Sequence, residues 1–92
     1  MAADDKARGE FTVTNELGLH TRAAAIVVRT ARRFRSRITI SNGEVTANAS
    51  SVLDLLTLAA SRGCQLVVEA EGADAEAAVK ALGGLIGRHF AE

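Results

Sequence analysis

The chain contains no proline, tryptophan or tyrosine, and only three phenylalanines and one cysteine. Without proline there is no proline-rich linker, and no internal repeat or low-complexity segment divides the chain. With so few aromatic rings the core must be aliphatic. A nucleic-acid-binding sheet that stacks bases on aromatics would have little to stack with. The single cysteine, Cys64, cannot close an internal disulfide. No apolar run approaches the roughly 18–20 residues needed to span a bilayer. The opening MAADDKARGE is polar and acidic, unlike a secretory signal. These absences favour a cytoplasmic protein with no membrane insertion. Net charge is missing too: 11 basic and 11 acidic residues cancel, which argues against nucleic acid as a partner.

What is present suits one small α+β domain. The chain has 92 residues, 48% of them apolar, enough for one core and too few for two domains. Residues 1–8 read as a flexible tail with nothing to bury, and residues 9–92 as the domain, expected to be a monomer. Charge is unevenly spread. Six arginines (22, 29, 32, 33, 35 and 37) and no acid fall between Thr21 and Gly43, whereas Glu69 to Glu76 is acidic. A basic face of this kind would serve an acidic protein partner as well as a phosphate backbone.

Phe11–Thr14 alternates as a strand does, and the glycine of Asn15–Leu19 marks a loop. Ala24, Val27, Ala31 and Phe34 form an apolar stripe at spacings of three and four, which predicts a helix from Thr21 to Phe34. Arg37–Ser41 alternates again, and Asn42-Gly43 before Glu44–Thr46 predicts a hairpin. Ser51 reads as the N-cap of a short helix starting at Val52, with Asp54 as a weak capping-box partner. Gln65–Ala70 predicts a strand. Asp74–Phe90 predicts a helix with acids in its first turn, where the dipole favours them. Gly83-Gly84 inside that helix costs about 1 kcal/mol each relative to alanine, so close approach of another backbone is expected there. The predicted order is β-α-β-β-α-β-α. It implies a four-stranded, mainly antiparallel sheet with three helices on one face.

His20 stands where loop becomes helix, with Arg22 two residues on. A helix start offers unpaired backbone N–H groups and the positive end of the dipole, and both attract phosphate oxygens. Arg22 can add a charge-assisted hydrogen bond to the same oxygens. With the imidazole as nucleophile, this set suits reversible capture of a phosphoryl group. From position alone, His20 is equally readable as a surface residue or a plain cap.

The segment Asn15-Glu16-Leu17-Gly18-Leu19-His20-Thr21-Arg22 closely resembles the active-site signature N-x-x-G-L-H-[TA]-R-P-A of HPr, the histidine phosphocarrier family of the bacterial phosphoenolpyruvate:sugar phosphotransferase system. Asn48–Leu58 resembles the family's regulatory-serine region, and Glu69–Gly72 the end of its last strand, so the resemblance covers roughly residues 9 to 90. It implies the HPr-like open-faced β-sandwich. It implies that His20 carries the phosphoryl group on Nδ1, with Arg22 steadying it and Thr21, the Ala23 backbone N–H, Asn15 and Gly18 supporting. It also implies enzyme I as donor and EIIA-type domains as acceptors, in a sugar or a nitrogen-related branch. No cofactor and no metal are implied, and the protein would be a stoichiometric carrier rather than an enzyme. Ser51 matches the serine that HPr kinase/phosphorylase modifies in some bacteria.

Two departures stand out. Ala23 replaces the usual proline and so keeps an N–H that proline lacks, free to hold the imidazole or the phosphoryl group. Around Ser51, Ser50 and Asp54 replace the family's frequent Lys and Gly, and Asp54 would repel a phosphate on Ser51. Ser51 therefore reads either as a regulatory site or as an ordinary cap. Val52 and Leu53 read as a partner-docking patch or as core. Cys64 and His89 lack the spacing of a metal site; Cys64 reads as a small apolar residue and His89 as a helix C-terminal residue that suits the dipole. Two rival readings, an ACT-type small-molecule module and an RNA-binding domain, account for the element order or the arginines but not for His20 with Arg22.

Overall fold

The computed structural model describes residues 5–91. The elements are β1 (Lys6–Thr12), α1 (Thr21–Ala31), β2 (Arg37–Ser41), β3 (Thr46–Asn48), α2 (Val52–Leu56), β4 (Gln65–Glu71) and α3 (Ala75–Gly87). The strands form one sheet in the order β1-β4-β2-β3, and all three pairings are antiparallel. Alternation sorts the side chains. Leu66, Val68 and Ala70 of β4, Ile38 and Ile40 of β2 and Ala47 of β3 are buried beneath the helices. Their neighbours Thr39, Glu69 and Glu71 lie on the opposite, open face. The helices close the core with Ala24, Val27, Leu55, Leu82 and Ile86, each large aliphatic side chain contributing about 1.5–3 kcal/mol of transfer free energy. This is the α+β open-faced sandwich expected. No helix among the described residues is long and apolar enough to cross a membrane.

Several boundaries differ from expectation. β1 begins at Lys6, so Lys6–Arg8 are strand and not tail; they pair with Glu71–Glu69. Asp5 of the expected tail already pairs with the sheet end, its carbonyl accepting from Gly72 N–H (2.8 Å), and residues 1–4 lie outside the described residues. The strand ends at Thr12, yet Val13 is fully buried and still pairs with the next turn: its N–H donates to Cys64 O (2.9 Å) and its carbonyl accepts from Gly63 N–H (2.8 Å). α1 stops at Ala31 and not at Phe34. The Asp74 carboxylate accepts hydrogen bonds from Arg35 N–H (2.9 Å) and Ser36 N–H (3.0 Å), which pulls the chain out of the helical path. Phe34 reaches the core from the turn instead.

The hairpin forms, but its loop has four residues, 42–45, since Ser41 pairs with Thr46. Gly43 takes positive φ, while Asn42 contributes its side chain, whose Oδ1 accepts from Glu44 N–H (2.9 Å) and Val45 N–H (2.8 Å). α3 runs from Ala75 to Gly87, shorter than predicted. Gly83 does meet a close neighbour, though not a backbone: any Cβ there would collide with the Phe11 ring. Phe11 therefore points toward α3. The one strand aromatic that base stacking could have used is turned away from the open face.

Candidate functional site

The loop before α1 is built by backbone constraints. Gly18 has φ +65°, and a Cβ on it would strike the backbone of Ala60 and Ser61. That close approach lets Leu19 N–H donate to Ala60 O (2.8 Å) and buries Leu19. Asn15 locks the loop from within: its Nδ2 donates to Gly18 O (2.9 Å), and its own carbonyl accepts from Gly18 N–H (3.2 Å). Asn15 and Gly18 thus bond to each other. They shape the site from behind.

His20 leaves this loop with extended backbone (φ −85°, ψ −179°) and caps α1. Its carbonyl accepts the first helical bond, from Ala24 N–H (2.8 Å). Its side chain caps as well, because Nδ1 accepts from Ala23 N–H (3.3 Å). An imidazole nitrogen that accepts must hold its lone pair, so in the neutral ring the proton sits on Nε2. The first-turn N–H groups of Thr21 and Arg22 have no carbonyl four residues back inside the helix to bond to. The Arg22 side chain is exposed.

A cleft of about 600 Å3 opens here, lined by Leu17, His20, Arg22, Ala23, Ile26, His89, Phe90 and Ala91. It brings together His20, Arg22 and Ala23 from the sequence-derived set. Asn15, Gly18 and Thr21 are not among its lining residues. Two contributors escaped sequence reading. Leu17 is 76% exposed at the rim, although the motif around it concealed an apolar side chain in open solvent. His89 comes from the far end of the chain, and no local pattern links it to His20.

Ser51 is the N-cap of α2: its Oγ accepts from Asp54 N–H (3.2 Å). The capping box is half made. The Asp54 carboxylate accepts from Asn48 N–H (2.8 Å) and not from the cap residue. Leu53 is 79% exposed, whereas Val52 is half-buried and packs on the core. α2, which carries Leu53, packs on α1. Arg32 Nη2 ties the two segments by donating to Ser50 O (3.4 Å).

A family model described as the PTS HPr component phosphorylation site matches residues 7–88. The phosphocarrier protein HPr of Xylella fastidiosa is 42% identical over 83 residues, covering 90% of this chain and 93% of that one. The phosphocarrier protein NPr of Shewanella violacea is 40% identical over 87 residues, covering 95% and 96%. Among solved structures, HPr from Thermoanaerobacter tengcongensis superposes with a TM-score of 0.87 at 37% identity, covering 94% of this chain and 97% of that one.

Proposed function

The chain belongs to the HPr family of phosphocarriers of the phosphotransferase system, and on that premise we propose that His20 takes a phosphoryl group from phosphorylated enzyme I and passes it to EIIA-type domains. The observation that carries this reading is the hydrogen bond that His20 Nδ1 accepts from Ala23 N–H at the helix start (3.3 Å). That acceptor role leaves a lone pair on Nδ1 and, in the neutral ring, puts the proton on Nε2. Attack by Nδ1 forms the new P–N bond while the bond from phosphorus to the donor breaks, and no proton need leave the attacking nitrogen. Charge on the moving group meets the first-turn N–H groups, which the helix fixes before transfer begins, and the Arg22 side chain. The protein acts as a stoichiometric relay, since each partner brings its own active site.

Docking follows from the surroundings. Leu17 and Leu53 are exposed apolar residues, and α1 presents Arg22 and Arg29. Such a surface suits partners with an apolar patch ringed by acids. Val52, being half-buried, contributes less than Leu53. Ser51 has the position of a residue that HPr kinase/phosphorylase could modify, but its present work is capping, and a phosphate there would face Asp54.

Incubation with enzyme I and phosphoenolpyruvate, followed by intact mass analysis of the parent and His20→Ala, tests the assignment. The expected result is one acid-labile phosphoryl adduct on the parent and none on the variant. An adduct that persists in His20→Ala would overturn it.

A further inference from the structure

α3 ends in a Schellman motif. Phe90 N–H donates to Leu85 O (2.8 Å) and His89 N–H to Ile86 O (3.1 Å), just past the C-cap Arg88. His89 and Phe90 both adopt left-handed backbone, at φ 59° and 61°. Glycine is the usual choice at the position of His89, because a Cβ is penalised in that region. Phe90 has a structural reason for its place: it is 3% exposed and anchors the chain end in the core. His89 has none. Its side chain is exposed, yet the residue lines the cleft that holds His20 and Arg22.

We infer that His89 is a second imidazole of the phosphoryl site, donating a ring N–H to an oxygen of the group carried on His20. The inference rests on the reading of His20 as phosphoryl acceptor and adds to it. A phosphoryl group on Nδ1 presents three oxygens. The start of α1 and Arg22 supply donors from one wall of the cleft, and His89 supplies one from the end of α3. Among the described residues, no carboxylate lines the cleft. An imidazole keeps at least one N–H in either protonation state, so the contact does not need a charged ring. An imidazole in place of the usual glycine at this left-handed position fits a side chain with a role in the cleft.

The experiment compares the parent with His89→Gly and His89→Gln after charging by enzyme I and phosphoenolpyruvate. Phosphohistidine lifetime, thermal midpoint and the ring nitrogen resonances of His89 are measured. Expected are a shift of the His89 resonances on charging and a several-fold shorter lifetime in His89→Gly, whose midpoint equals or exceeds the parent's. Retention of most of the lifetime is expected in His89→Gln, which keeps an N–H donor. An adduct on His20 whose lifetime ignores His89, with unmoved His89 resonances, overturns this inference alone. Absence of any adduct on the parent overturns it together with the His20 assignment.

Discussion

The Nδ1 atom of His20 accepts a hydrogen bond from the backbone N–H of Ala23 at 3.3 Å. Family members with proline at the position of Ala23 have no N–H to donate there. In this chain the ring is therefore oriented by its own helix, with the nucleophilic nitrogen as the acceptor.

Phosphorylation consumes the Nδ1 lone pair, and the Ala23 N–H then loses its acceptor. The nearest replacement is an oxygen of the new phosphoryl group. One hydrogen bond to a charged acceptor contributes about 1.5 kcal/mol. Ala23→Pro is thus expected to shorten the phosphohistidine lifetime roughly tenfold. In the uncharged variant, nitrogen NMR should show the His20 proton shared more evenly between Nδ1 and Nε2. Proline is tolerated in the first turn of a helix, so circular dichroism should be preserved. A lifetime equal to the parent's would show that the phosphoryl group does not use this donor.

Ser51 caps a helix of only five residues, Val52–Leu56, which has little other reason to start there. Ser51→Ala removes the acceptor for Asp54 N–H and is expected to cost about 1 kcal/mol in urea unfolding. Ser51→Asp keeps an acceptor at the cap but sets a second carboxylate near Asp54. It should recover only part of that loss, and less at low salt than at high salt. Full recovery at low salt would mean that Asp54 is too well engaged by Asn48 N–H to be felt at the cap.

Local pattern carried much of this fold. The element order, the stripe through Ala24, Val27 and Ala31, and the Ser51 cap were legible because each depends on residues within one or two turns. β1 was partly hidden because its inward positions, Ala7, Gly9 and Phe11, include two small residues. Glycine is required at position 9 because the Phe11 ring occupies the space above it and lies against Gly83, a contact between distant segments. The end of α1 was hidden because Asp74, far along the chain, takes the N–H groups of Arg35 and Ser36. At the site, the motif announced His20 and Arg22. The approach of His89 depends on where α3 ends in space, which no spacing in the sequence encodes.

Gly18 joins the loop to its support. Its φ of +65° is unfavourable for a side chain by roughly 1–2 kcal/mol, and an added Cβ would also meet the Ala60 and Ser61 backbone, which cannot rotate aside. Gly18→Ala is expected to destabilise by more than about 2 kcal/mol. It should also displace Leu19 and with it the His20 cap, so the rate of phosphorylation should fall even at temperatures where the variant is folded. A variant that is destabilised yet phosphorylated at the parent's rate would separate the loop's folding role from any role in setting the ring.

Asp74 is the remaining long-range tie, and its effect should depend on pH. The Ser36 hydroxyl and, next, the Arg35 backbone N–H donate to its carboxylate and hold its pKa below the ordinary aspartate value. A carboxyl group whose pKa is lower folded than unfolded stabilises the fold at pH values above the unfolded pKa, about 3.9. That contribution is lost as pH falls through the folded value. Asp74→Asn keeps the size of the side chain and removes the charge. The stability difference between parent and variant, from chemical unfolding, should be constant from pH 7 to about 5 and should shrink below about 4. Taking the difference cancels the other carboxylates, which titrate in both proteins. A gap that stays level down to pH 2 would mean that the tie to the start of β2 works through shape alone, and the asparagine variant would then show how much of that shape an amide can keep.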